Sequence, residues 1–366
     1  MNKVAGNQYV PDNVSPPGET LLDVLEEREM SQSELAERTG RPKKTISEII
    51  NGKTAITSDT ALQLERVLGI PARFWNERER NYQDSLARRR ESQRLEQNLA
   101  WLNKFPVKEM VKLRWIESSK DKVNQLQILL NFFAVASPEQ WESYWGSQPV
   151  AYRKSVAFVS DGAAITAWLC KGQLSAEQIS CKPYSGSKFK KALVEIRNLT
   201  TQPQAVFQSK MVSLCAEAGV AIVFTPELPK TRVSGVTRWL SAQKALIQMS
   251  FRYKSNDHLW FTFFHEAGHV FQEKKDEMFL EGQVEYDPEH PLEVEANEFA
   301  GNFLIPPESL TQFLEEFKAD RLASVAIQKF ADEVGIAPGI VVGRLQHDKK
   351  LPQNYCNDLK EKFDWV

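Results

Sequence analysis

His265-Glu266-Ala267-Gly268-His269 is the stretch that decides how this chain is read. Residues four apart on a helix stand one above the other, so both imidazoles point the same way. Two neutral histidines at that spacing can clasp one divalent ion. The glutamate between them lies on the adjoining turn, where it can take a proton from a water on that ion. H-E-x-x-H is the spacing of zinc hydrolases, and it carries weight only in context.

The context is apolar. Leu259, Trp260, Phe261, Phe263 and Phe264 run into the motif, and Val270 and Phe271 follow it. A helix that is apolar nearly all round is a buried helix. Burying two imidazoles and a carboxylate without partners is costly, and a bound cation satisfies all three. The competing reading is a solvent-facing helix with incidental histidines. Gly268 costs about 1 kcal/mol against alanine inside a helix, which points to a close approach there, by a strand or by substrate.

A catalytic zinc usually takes three protein ligands and keeps one position open. Downstream, residues 292 to 305 read as a helix stopped by Pro306 and Pro307. Glu293, Ala296 and Ala300 fall on one stripe of small side chains, which would let this helix pack closely on the first. Glu293 is therefore the expected third ligand, with Glu295 as the alternative. His290, beside Pro291, reads as a loop residue.

Phe261-Thr262-x-x-His265-Glu266-x-Gly268-His269 followed by Glu293-x-x-Ala296-Asn297-x-Phe299-Ala300 resembles the ImmA/IrrE metallopeptidases over roughly residues 200 to 310. The resemblance implies a zincin-like (gluzincin) fold, Zn2+, ligands His265, His269 and Glu293, and Glu266 as general base. Characterised members cleave partner repressors that carry helix-turn-helix domains. Ala267 departs from the leucine often found before the glycine.

The second signal lies near the other end. Ser31 caps a helix, Glu34 three residues later completes a capping box, and Gly40 closes it. Pro42 opens a second helix whose Ile46, Ile49 and Ile50 face inward, with Gly52 after it. Two short helices joined at a glycine turn make a helix-turn-helix. The second exposes Lys43, Lys44, Thr45, Ser47 and Glu48, groups able to reach base edges and phosphates in a major groove. Together with Pro17-Gly18-Glu19, Asn51-Gly52-Lys53 and Leu68-Gly69-Ile70-Pro71-x-x-Phe74-Trp75, residues 15 to 82 resemble the Cro/C1-type (XRE) DNA-binding domain in its HigA antitoxin-like branch. By that resemblance Gln32 meets the DNA backbone, Lys43, Lys44 and Ser47 read or grip DNA, and Asn51 and Lys53 lie near phosphate. The competing reading is a domain kept for protein contact alone.

Whole-chain numbers set the frame. A length of 366 residues allows two or three domains. The net charge of -2 means that DNA affinity must come from a local patch. Four widely spaced cysteines, without C-x-x-C, read as free thiols rather than a disulfide framework. No run has the length of a membrane span and no signal peptide is evident, so a cytoplasmic protein is expected.

The expected architecture is multidomain, mostly α with an α+β part. It comprises a five-helix HTH over 1–82, a helical connector over 83–185 and a peptidase domain with a small sheet over 186–366. Val220 to Phe224 reads as a buried strand, and Val233 to Leu240 with Ala245 to Ser250 as a hairpin. The acidic segment 273–291 reads as a loop near the cleft. The run Arg88-Arg89-Arg90 reads as a solvated face. Near the C-terminus a further helix pair ends in Arg344 and His347, either of which could steady a developing oxyanion. The plain alternative is a helix-capping arginine and a surface histidine.

The combined expectation is a DNA-binding regulator with a zinc endopeptidase acting on a partner repressor, a toxin or its own chain. Its partners would be a double-stranded operator and a protein substrate, and a homodimer suits an operator with two half-sites. The competing reading is an antitoxin-like repressor whose peptidase fold binds or senses and never cleaves.

Overall fold

The computed structural model describes residues 14–146, 156–250, 252–274, 279–281, 290–317 and 323–363. The chain divides into two compact units, residues 1–98 and 99–366. The divisions expected at 82 and 185 do not coincide with this one. The fifth helix runs unbroken from Ala72 to Gln97, and a helix from the anticipated connector packs on the sheet of the second unit.

The first unit is helical: α1 (Pro17–Glu27), α2 (Gln32–Thr39), α3 (Lys43–Ile50), α4 (Ser58–Leu68) and α5 (Ala72–Gln97). The caps are those the sequence announces. Ser31 Oγ accepts from the Glu34 amide at 3.1 Å, and Gly40 turns the chain in the left-handed region at φ 67°. Leu21, Leu25, Leu35, Ile46, Ile49, Leu64, Leu68 and Trp75 form its core. Gly18 makes the α1–α3 packing possible, because a Cβ there would stand 2.1 Å from the Ile49 carbonyl oxygen.

The second unit begins with α6 (Val107–Lys112), α7 (Lys122–Phe133), α8 (Pro138–Gly146) and α9 (Val156–Glu177). Trp101, Phe105, Phe133 and Trp141 pack edge to face there, so these aromatic rings serve as core. Then come α10 (Gly186–Arg197) and α11 (Gln204–Glu217), followed by strands β1 (Val220–Phe224), β2 (Gly235–Ser241) and β3 (Lys244–Met249). The long buried helix α12 (Asn256–Phe271) carries the His-Glu motif. Short β4 (Phe279–Glu281) and helices α13 (Pro291–Leu304), α14 (Pro307–Glu316), α15 (Ala323–Val334) and α16 (Pro338–His347) complete it.

The sheet order among the described residues is β1-β3-β2-β4. β1 runs parallel to β3, whereas β2 is antiparallel to both β3 and β4. Alternate residues face opposite ways along a strand. Val220, Ile222, Ala245 and Ile247 join Trp260, Phe263 and Phe264 of α12 in the main core, whereas Ala221, Val223 and Leu246 pack with Ala176 of α9. Polar ties fix α9 to the sheet: Gln248 Nε2 donates to the Trp168 carbonyl at 2.7 Å and Arg238 to that of Leu169 at 2.9 Å. Arg197 donates to the carbonyls of Phe303 and Leu304, occupying acceptors that the end of α13 leaves open.

One expectation needs correcting here. The segment 273–291, read as a loop, contains β4, whose Phe279–Glu281 pair with Thr237–Gly235. Its remainder falls partly outside the described residues. Pro306 and Pro307 stop α13 as expected, and Pro307 then opens α14.

Candidate functional site

α12 is buried over almost its whole length, and His265, Glu266 and His269 are each at most 1% exposed. α13 crosses beside it with Glu293, Ala296 and Ala300 turned inward. The contact is close because Gly268 lacks a side chain. A Cβ there would lie 3.1 Å from Cα of Ala296. The neighbour that Gly268 admits is therefore the second helix, neither a strand nor substrate.

Three ligand-type atoms converge as a result. Nε2 of His265 and Nε2 of His269 stand 3.1 Å apart, and Glu293 Oε2 lies 3.2 Å from the first and 3.4 Å from the second. Among the described residues, these three form a group that could hold a metal ion. Glu295 is exposed and takes no part in it, and His290 is an exposed residue at the start of α13. Zinc bonds of about 2.0–2.2 Å at tetrahedral angles place ligand atoms roughly 3.3–3.5 Å apart. The observed spacing therefore fits such an ion.

The far side of each imidazole is held by an amide oxygen. Asn297 Oδ1 lies 3.0 Å from His265 Nδ1, and Gln272 Oε1 lies 2.8 Å from His269 Nδ1. This arrangement keeps protons on Nδ1 and turns Nε2 lone pairs towards Glu293. Three electron-pair donors facing one another at this spacing repel unless a cation lies between them.

Glu266 sits under β2. A Cβ at Gly235 would stand 2.6 Å from Glu266 Oε1 and 2.8 Å from its Cγ. Thr237 Oγ1 donates to the Glu266 main-chain carbonyl at 2.9 Å, tying strand to helix at this point.

Arg344 and His347 stand at the end of α16, outside the His–His–Glu cluster. Both engage Asp348: Arg344 Nε is 2.7 Å from Oδ2 and His347 Nδ1 is 3.1 Å from Oδ1. They line a cavity of about 350 Å³ that also takes in Phe261 and Asn297, the residues flanking the His265 ring. The His347 side chain is 84% exposed and that of Arg344 28%.

On the other unit, Lys43, Lys44, Asn51 and Lys53 are exposed, while Gln32, Thr45 and Ser47 are half-buried. Lys44 lies 3.8 Å from Glu48. The Asn51 amide donates to the Ser47 carbonyl at 2.7 Å and closes the end of α3.

Sequence reasoning missed Gln272 and Gly235 and gave Asn297 no part of its own. Gln272 lies three residues beyond His269, one turn on, so helix spacing offered a signal for it. Gly235 offered none.

The sequence model of the helix-turn-helix family matches residues 21–75, and that of the IrrE N-terminal-like domain matches residues 215–346. No curated protein matches the chain. Among solved structures, it is similar to an addiction module antidote protein of a HigA family from Coxiella burnetii. The identity is 29% over 23% of this chain and 94% of that one, with a TM-score of 0.22. An antidote protein of a plasmid maintenance system from Nostoc punctiforme gives 31% identity over 23% and 91%, with a TM-score of 0.22. This chain thus joins a helix-turn-helix domain to an IrrE N-terminal-like domain.

Proposed function

We propose that the chain is a DNA-binding regulator whose second unit is a zinc-dependent endopeptidase acting on a partner regulator, a toxin or the chain itself. The observation that carries this reading is the meeting of two imidazole nitrogens and one carboxylate oxygen within 3.1–3.4 Å, with Glu266 in the same helix turn. His265, His269 and Glu293 would hold the ion, for which the donor set suits Zn2+. When bound, the ion supplies Lewis acidity, polarising a carbonyl and lowering the pKa of a water towards neutral.

The chain's own residues supply the rest. The Glu266 carboxylate accepts a proton from the attacking water and returns it to the leaving amide nitrogen. Gly235 leaves that carboxylate its space, and the burial of the helix keeps bulk water from competing for it. Asn297 and Gln272 orient the two imidazoles. Arg344 and the cavity it lines would receive part of the substrate chain.

Lys43, Lys44, Thr45 and Ser47 on α3 would enter a major groove, with Gln32 and Lys53 at the phosphates. A DNA reader and a hydrolase in one chain fit a regulator whose proteolysis lifts repression.

The test pairs zinc content with cleavage. Purified wild type is expected to hold one zinc and to cut a co-encoded repressor, toxin or its own chain, whereas Glu266→Gln keeps the zinc and loses cleavage. Zinc retained in both with cleavage in neither points to a binding or sensing module. Absence of zinc from the wild type removes the hydrolase reading.

A further inference from the structure

Gln272 closes α12 and touches three groups at once. Its Oε1 lies 2.8 Å from His269 Nδ1, while its Nε2 lies 2.7 Å from the Leu292 carbonyl and 3.2 Å from Glu295 Oε2. A carbonyl and a carboxylate can only accept, so the NH2 end of the amide must face them. The oxygen end is then the one left for His269, and an oxygen can only accept. His269 must therefore carry a proton on Nδ1, and in the neutral ring Nε2 is then the electron-pair donor, 3.4 Å from Glu293 Oε2.

The same side chain reaches across to α13. Leu292 immediately precedes Glu293, so Gln272 fastens the turn that delivers the carboxylate of the cluster. We propose that Gln272 is a positioning residue for the metal group, one carboxamide that sets the tautomer of His269 and clamps the first turn of the Glu293 helix. The inference rests on the metal reading above and adds to it the coupling of two ligands through one side chain. Asn297 links the two helices from the other side, reaching from α13 to His265, whereas Gln272 reaches from the end of α12 to the turn that precedes Glu293.

The experiment uses the full chain with Zn2+ as probe, titrated against a chelator of known affinity. Wild type is compared with Gln272→Met, which keeps the length of the side chain and removes its amide, and with Gln272→Glu. The glutamate can still accept from His269 but can no longer donate to Leu292. Selective 15N-histidine labelling reports the ring tautomers of the five histidines in the metal-free protein.

Gln272→Met is expected to bind Zn2+ about 10–100-fold more weakly, the usual cost of losing a partner behind a ligand. Its His269 resonances shift from the Nδ1–H tautomer to a mixture, while the thermal midpoint of the metal-free form stays near that of wild type. Gln272→Glu is expected to keep the Nδ1–H tautomer and still lose affinity, because the hold on Leu292 is gone. Equal Zn2+ affinity in wild type and Gln272→Met, or an unchanged His269 tautomer, overturns this inference alone. A wild type that binds no Zn2+ overturns the metal reading and this inference with it.

Discussion

Gly235 of β2 lies directly over the carboxylate of Glu266, so near that a single methyl group on the strand would stand 2.6 Å from Oε1. Strand and helix are held in that register by the bond from Thr237 Oγ1 to the Glu266 carbonyl. The sheet thus sets where the proposed general base can point.

Gly235→Ala should therefore separate chemistry from metal. The tip of Glu266 can swing aside, but its Cγ and Thr262 Cγ2, both 2.8 Å from the new methyl, have less room. None of His265, His269 and Glu293 is among the atoms the methyl meets first. We expect zinc content to stay at the wild-type level while cleavage falls at least 100-fold, comparable to the loss of a general base at about 10²–10⁴-fold. Full activity in Gly235→Ala would show that the position of Glu266 is not set by the strand.

Gly268→Ala sets two effects against each other. Alanine favours the helix by about 1 kcal/mol over glycine. The added methyl, however, would lie 3.1 Å from Cα of Ala296 and 3.3 Å from its Cβ, so α13 must retreat by a few tenths of an ångström. The local gain and the packing loss offset each other in the metal-free protein, leaving its thermal midpoint within a few degrees of wild type. Glu293 moves with α13, so Zn2+ affinity should drop. Calorimetric scans with and without a chelator measure both quantities, and an unchanged zinc-dependent increment in the midpoint contradicts the account.

The helix of the site was legible because its signal is local. Apolar residues surround His265 and His269, and the same apolar run that buries the helix marks it in the sequence. Glu293 was legible through the small residues Ala296 and Ala300 that let its helix approach. Gln272 was legible only in part: its spacing from His269 follows the helix, but its bond to the Leu292 carbonyl forms only after the chain returns. Gly235 precedes Glu266 by 31 residues and acts through strand-over-helix packing that no period reveals. β4 escaped because three residues are too few to show alternation within an acidic segment. α9 was assigned to a connector since nothing in its own sequence says that its Trp168 and Leu169 carbonyls meet a sheet.

Asp348 gives a pH-dependent prediction. Partial burial raises its carboxyl, and the bonds from Arg344 and His347 outweigh this and lower it from the ordinary value. A carboxyl depressed in the folded state adds stability above its unfolded pKa, and that contribution fades as pH falls through the folded value. The unfolded value is about 3.9, so the loss falls in the acid range below about pH 4. Asp348→Asn should cost up to about 1 kcal/mol near neutral pH, the range of partly exposed pairs. The gap in thermal midpoint from wild type should close as pH is lowered from 5 to 3. A gap that is constant with pH would assign the loss to packing.

Lys43 and Lys44 are adjacent on α3 but not equivalent. Lys44 has Glu48 one turn on at 3.8 Å, an exposed pair that must open for Lys44 to meet phosphate. Such helix pairs are worth only about 0.3–0.5 kcal/mol, so the handicap is real but small. Ile46, Ile49 and Ile50 carry the packing of α3, and neither lysine contributes to that core, so alanine at 43 or 44 should leave the fold intact. Each substitution that removes a phosphate contact should weaken operator binding at all sequences alike and lower the log–log salt slope by about 1. Lys43→Ala should cost somewhat more than Lys44→Ala. Glu48→Gln should tighten binding by freeing Lys44 and removing a negative charge from the groove-facing side. Fluorescence anisotropy on the chain's own promoter across a salt series resolves these differences. Should both lysine variants keep the wild-type affinity and slope, α3 is not the element that meets DNA.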